Sequence, residues 1–156
     1  KWLYLPAMKK TRRISGSSSK TDYFMGTDFT YDDMGDRNID EDKHKLLRTE
    51  TRDGKKCWVV ESVPVDKHEI YSRKLTWVAQ DCLMGIRVEY YDKLNKLHRI
   101  LTVSEITKVQ GFWTKHRMEM NNIQTGHKTI IMMKNPKYDM KLDAAMFTVS
   151  KLEKGL

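Results

Sequence analysis

From residue 42 onward, hydrophobic and polar residues alternate in short runs, and a turn signal closes each run. Asp53-Gly54 separates a run near 44–52 from one near 55–63. Asp-Gly is a strong hairpin signal because both residues tolerate the left-handed backbone of a two-residue loop. Residues 65–71 connect to Lys74-Leu75-Thr76-Trp77-Val78, and Asp81 to Leu83 turns into Ile86–Tyr91. Leu94-Asn95 leads into a run near 97–109, Gln110-Gly111 into Phe112 to Ile123, and Thr125-Gly126 into Lys128 to Met133. Strands at roughly ten-residue spacing predict an antiparallel meander. Glu41 to Arg48 also suits a helix by propensity.

The flanks read differently. Lys1-Trp2-Leu3-Tyr4-Leu5-Pro6 alternates like a strand already under way, without an initiator Met or a signal peptide, as in a chain trimmed at its start. Residues 15–27 are Ser/Gly-rich and read as a flexible loop, mobile near 16–21. Asp28–Tyr31 reads as a short extended stretch, and Leu142–Phe147 as one helical turn. The expectation is one mainly β domain over 1–156, a strongly curved antiparallel sheet with few short helices.

Register turns the strands into a surface, because side chains alternate faces and antiparallel partners share one. A tight turn at Gln110-Gly111 sets Val103 opposite Met118 and Leu101 opposite Met120. A tight turn at 124–126 sets Met118 opposite Met132 and Met120 opposite Ile130. A tight turn at Leu94-Asn95 sets Val88 opposite Leu101 and Ile86 opposite Val103. The oily stripe is then Ile86, Val88, Leu101, Val103, Met118, Met120, Ile130 and Met132. The reverse face carries Arg87, Glu89, Thr102, Lys115, Arg117, Glu119 and Asn121. Two coverings suit the oily face: an ordinary packed core, or a sheet curled into a half-barrel around a greasy ligand. Ten methionines in 156 residues lean toward the second, since Met adapts to varied apolar partners.

Composition narrows the field. Charged residues are 32% and hydrophobic residues 39%, too apolar for a disordered chain. No run approaches the roughly 18 apolar residues of a membrane helix. The net charge of +8 suits an anionic partner or a solvated basic surface, and the only dense run is Lys9-Lys10-Thr11-Arg12-Arg13. Scattered lysines give no nucleic-acid footprint. His44, His68, His98, His116 and His127 have no helical metal spacing, and the acidic run from Asp28 to Asp42 lacks the calcium-loop frame, so no metal is expected. His116 falls on the oily face opposite Glu105, as a rim pair or a general base. Phosphate loops, dinucleotide fingerprints and nucleophile elbows are absent, and neither an enzyme nor a cofactor is expected. Pairing of 55–63 with 74–80 brings Cys82 within a residue or two of the position opposite Cys57. A disulfide is geometrically open there, whereas a cytosolic chain would keep two buried thiols.

Several stretches resemble a known family. They are Lys1–Pro6, Arg12–Gly16, Asp22-Tyr23-Phe24-Met25-Gly26-Thr27-Asp28-Phe29-Thr30-Tyr31-Asp32-Asp33, Val88–Asp92, Arg117–Met120 with Gln124–His127, Leu142-Asp143 and Met146–Thr148. Together they are similar to the outer-membrane lipoprotein-sorting proteins of Gram-negative bacteria, in the LolA-like branch, over essentially the whole chain. The resemblance implies an unclosed half-barrel lidded by helices over an apolar cavity. It also implies a further third of the domain before Lys1, with early strands, a helix and the cavity arginine of the classical carrier. The implied function is a periplasmic carrier that sequesters lipid or lipoprotein acyl chains, working with membrane-bound donor and acceptor proteins. The alternative is an envelope-stress sensor or an accessory interaction module of an export system using the same sheet. A periplasmic setting favours the Cys57–Cys82 disulfide.

Overall fold

Seven successive runs from Asp42 to Met132 pair each with the next, so chain order is also sheet order. The strands are β3 (Asp42–Arg52), β4 (Lys55–Pro64), β5 (Arg73–Ala79), β6 (Met84–Tyr91), β7 (Leu97–Val109), β8 (Phe112–Asn122) and β9 (Lys128–Met132). A separate hairpin precedes them, β1 (Trp2–Leu5) with β2 (Lys10–Arg13), and α1 (Ser17–Thr21) follows it. The chain ends in a turn of 3-10 helix (Ala144–Phe147) and α2 (Val149–Lys154). This computed structural model describes residues 1–14 and 16–154, apart from the side chains of Ser17 and Ser18. The large sheet is antiparallel, curved and not closed into a barrel.

Turn chemistry explains the hairpins. Asp53 and Gly54 have φ of 50° and 75°, and Gln110 and Gly111 have 50° and 88°. These two-residue loops join Arg52↔Lys55 and Val109↔Phe112, as the right-handed twist of the flanking strands requires. Pairs Val88↔Leu101, Leu101↔Met120 and Val103↔Met118 stand as the alternation predicts. The segment Glu41–Arg48, open to a helical reading, belongs to β3 from Asp42 on.

The structure corrects the expected flexible loop over 15–27, mobile near 16–21, of which Ser15 lies outside the described residues. Ser17–Thr21 forms α1, the Asp32 amide donates to the Ser19 carbonyl (2.8 Å), and Lys20 pairs with Glu69. A serine-rich composition hid these long-range anchors. Asp28–Tyr31 forms no strand, only a bridge of Thr30 to Tyr23.

Two apolar clusters lie on opposite faces of the sheet. One gathers Cys57, Val59, Leu75, Trp77, Ala79, Cys82 and Ile86. The other gathers Phe29, Tyr71, Tyr90 and Met120, with Ile70, Val88, Leu101, Met118 and Ile131 packed against it. The predicted wet face is therefore wet only beyond β5. There Arg87 pairs with Glu89 (2.8 Å) and Arg117 with Glu119 (2.6 Å). Around Trp77 it holds a core roofed by cations, with Arg52 and Arg87 over the indole at 5.1 and 5.7 Å.

Two sequence expectations fail on register. Ile130 and Met132 pair with Glu119 and Arg117, so both leave the stripe for the reverse face, 43% and 53% exposed. The cause is the β8–β9 connection. Asn122 and His127 close it, and the Asn122 side-chain carbonyl accepts from the Gln124 and Thr125 amides at 3.2 Å. That shifts the pairing by one residue, which swaps every β9 side chain to the other face. Ile86 moves for another reason. Arg87 pairs with Trp77 and Gly85 with Val78, so Ile86 is the extra residue of a β-bulge and turns into the Trp77 cluster. His116 keeps the place opposite Glu105, between the pairs Ser104↔Arg117 and Ile106↔Lys115, but its hydrogen bonds go elsewhere. Glu105 has φ of 53°, and the imidazole bonds Thr107 Oγ1 (2.9 Å) and the Met133 carbonyl (3.0 Å).

The disulfide is also corrected. Cys57 and Cys82 are both buried free thiols. Cys57 faces Ala79, not Cys82, and its thiol donates to the Lys55 carbonyl (3.4 Å). Burial pushes both thiols up, away from the reactive thiolate.

Candidate functional site

On one face of the sheet, the register sets side chains in rows that cross the strands. The first row runs His44, Ser62, Lys74, Tyr90, Arg99, Asn122. The second runs Leu46, Val60, Thr76, Val88, Leu101, Met120, Thr129. The third holds Trp58, Val78 and Gly85 on β4–β6, and Val103, Met118 and Ile131 on β7–β9.

The first row is polar and largely sealed from Ser62 to Asn122, while His44 at its β3 end is exposed. Segment 22–42 and the 65–72 connection lie over it. Arg99 is fully buried and donates to both carboxylate oxygens of Asp33 (2.9 and 3.4 Å) and to the Asp28 carbonyl. Its guanidinium lies 5.3 and 5.1 Å from the rings of Tyr71 and Tyr90. Burial opposes the charge, but the Asp33 carboxylate keeps Arg99 above its ordinary value. Burial pushes both phenols well up, so they stay neutral. The Asp28 carboxylate accepts from His127 Nδ1 and Thr129 Oγ1, each at 2.7 Å, and so clips the segment to β9. At the other end Arg37 grips Asp42 in bidentate fashion (2.6 and 2.8 Å) and reaches Glu69 (3.3 Å). The Asp28–Asp33 part of the segment is thus a latch, buried over Asp28–Tyr31, with Asp28 and Asp33 engaged by Arg99, His127 and Thr129.

The second and third rows are apolar and half-open. Trp58, Val60, Thr76, Val78, Val88, Leu101, Met118 and Ile131 are all partly exposed, while Met120 and Val103 are buried. Five of the eight predicted wall residues meet here: Val88, Leu101, Val103, Met118 and Met120. Ile86, Ile130 and Met132 do not. The extension across β4 and β5 through Trp58, Val60, Thr76 and Val78 was missed, because the register argument stopped at β6. Their alternation in Trp58–Val60 and Thr76–Val78 carried the signal. Arg99 was missed too, although strand parity with Leu101 sets it on the oily face, where a charge needs a partner.

A second apolar recess, of about 660 Å³, lies between Trp2 and the carboxy-terminal residues Leu142, Met146, Phe147 and Leu152. Its lining residues lie outside the seven-stranded sheet.

The fold is shared with known structures. A family model described as "Uncharacterized protein" matches residues 1–154. A putative outer membrane lipoprotein-sorting protein domain from Vibrio parahaemolyticus is 31% identical, with a TM-score of 0.89 over 97% of this chain. A DUF1329 family protein from Desulfovibrio piger is 37% identical, with a TM-score of 0.87 over 97% of this chain. The chain belongs to the family of that model and shares the fold of these lipoprotein-sorting and DUF1329 structures. A LolA superfamily protein from Nitrosomonas europaea, 20% identical with a TM-score of 0.71, covers 96% of this chain and 66% of its own; it shows the shared fold alone. The chain spans 65% and 63% of the first two structures' length. No curated protein matches it. Among the described residues, no helix is long and apolar enough to cross a membrane.

Proposed function

We propose that this LolA-like domain is a periplasmic binding or carrier protein that holds lipid or lipoprotein acyl chains against the second and third rows. One observation carries the reading: the same sheet face is sealed along its polar row and left half-open along its apolar rows. A packed core would bury both. The chemistry needs no bond making. Each buried CH₂ contributes about 0.8 kcal/mol, so a single chain supplies useful, reversible affinity. Release then requires a partner or a conformational change that removes the burial. The flat curvature of an open sheet suits an extended chain, and the sulfur-bearing Met118 suits varied tails.

Lipid extraction from natively purified protein, read by mass spectrometry, tests this. The expected result is stoichiometric acyl lipid, depleted in a Met118→Glu variant that remains folded. Absence of lipid together with a stable protein complex would instead favour an envelope-stress sensor or an interaction module of an export system. The exposed recess around Trp2 and Phe147 is the observation that supports this second reading.

A further inference from the structure

Lys74 sits where the sealed row meets the open ones. It is the first-row neighbour of Ser62 and Tyr90. On the same face, two residues along β5, Thr76 lies between Val60 and Val88 of the open second row. The side chain is 17% exposed, so it is largely desolvated without being fully enclosed. Desolvation first, and then the nearby Arg37 charge, lower its pKa.

The neutralising groups around it are taken by others. The nearest carboxylate, Asp42, is 4.0 Å away and is already held at both oxygens by Arg37. Glu69 is held by Lys20 and Arg37. Ser62 Oγ is bonded to His44 Nδ1 (2.9 Å). Tyr90 offers only its ring face, at 5.9 Å. Among the described residues none hydrogen-bonds the Lys74 ammonium. Three cations, Lys20, Arg37 and Lys74, thus share two buried carboxylates, Asp42 and Glu69; the more exposed Asp66 and Glu41 also pair with Lys20 and Arg37 but not with Lys74. A buried charge with three donors and no acceptor is costly, and an incoming anion relieves that cost.

We infer that Lys74 is a headgroup site: the apolar rows take a ligand whose acyl chain ends in an anionic group, a carboxylate or a phosphate, which accepts hydrogen bonds from Lys74. This rests on the acyl-binding reading above and adds the chemical class of the ligand. A neutral acyl ester would leave Lys74 unpaired. An anionic head would pair it, with the chain lying toward Val60, Val88 and Leu101.

The test is calorimetric titration of the whole chain with dodecanoate, dodecyl phosphate and uncharged dodecanoylglycerol, each below its micelle concentration. The wild type should bind at least one anion about tenfold or more tighter than the neutral lipid, the size of one charge-assisted hydrogen bond. The tighter anion identifies a fatty-acid or a phospholipid source. Lys74→Met and Lys74→Gln should bring the anion-to-neutral ratio near one, and Lys74→Arg should restore it. A melting curve for each variant separates this from misfolding, because the ratio is read within one folded protein. Equal binding of anion and neutral lipid by the wild type, or a ratio unmoved by both Lys74 variants, overturns the headgroup site and leaves acyl binding standing. Failure of all three ligands to bind overturns both.

Discussion

Two rows of one sheet face, a single strand repeat apart, are treated in opposite ways. Tyr90, Arg99 and Asn122 are roofed by segment 22–42 and almost wholly buried. Val88 and Leu101, two residues further along the same strands, are left partly open; on β8 Met120 is buried and Met118, four residues from Asn122, is partly open. Hydrophobicity alone would predict the reverse, with water on the polar row and protein on the apolar one. The chain spends its specific interactions, Arg99 with Asp33 and Asp28 with His127 and Thr129, on sealing the polar end. What it leaves open is the part an acyl chain can cover. On the proposed function, the polar row is architecture and the apolar rows are the working surface.

The sharpest way to break this contrast is at the latch. Asp33→Ala strands the fully buried Arg99 guanidinium without its carboxylate. Removing one partner of a buried pair costs about 3–5 kcal/mol, and urea denaturation should show a loss of that size. A loss near zero would mean that segment 22–42 does not seal the row.

Next in size is a pair on the two sides of the boundary. Met120 is 0% exposed, so Met120→Glu buries an unpaired carboxylate and should destabilise the fold by several kcal/mol, of order 3 or more. Met118 is partly exposed, so Met118→Glu should cost about 1 kcal/mol while weakening an acyl probe at least tenfold. Equal destabilisation by both would make the face an ordinary core.

Much of this was legible in the sequence, and the failures have physical causes. Turn residues with an intrinsic left-handed preference, such as Asp53-Gly54 and Gln110-Gly111, fixed β3–β4 and β7–β8 because two residues leave no freedom in register. The 122–127 connection is longer, and a side-chain cap by Asn122 decides it, which no turn motif announces; Ile130 and Met132 were misplaced for that reason. Ile86 was misplaced because a bulge is invisible to strict alternation. Arg99 was legible only in hindsight, as a charge whose parity matches Leu101. Its partner Asp33 lies 66 residues away in the chain, and local pattern cannot join them.

A smaller effect concerns pH. Burial, and then the Arg99 charge, hold His98 below its ordinary value of 6.5. The fold therefore prefers neutral His98. Its contribution is complete above about pH 6.5 and is lost as pH falls through the lower folded value. His98→Gln should flatten the fall in stability below pH 6.5 but leave the steeper acid loss. Burial opposes ionisation of Asp42 and Glu69, yet Arg37 at Asp42, and Lys20 and Arg37 at Glu69, hold both below the ordinary carboxylate range. Their contribution is present above that range and is lost as pH falls through it. Stability curves from pH 8 to 3 for both proteins check the two windows (order of magnitude from ordinary His and carboxylate values, about 6.5 and 4).

The smallest expected effect is at the cysteines. Thiol titration of the native protein should find both Cys57 and Cys82 unreactive, and both should react after unfolding without reductant. One or no thiol released would mean a disulfide.

The central claim is that acyl chains lie on the open rows, and Trp58 in the third row reports on it directly. The measurement is quenching of tryptophan fluorescence by a brominated fatty acid, with Trp58→Phe and Trp2→Phe compared against the wild type. The account predicts saturable quenching in the wild type, most of it lost in Trp58→Phe and retained in Trp2→Phe, whose indole lines the recess outside the sheet. Quenching that survives Trp58→Phe and disappears in Trp2→Phe would contradict it.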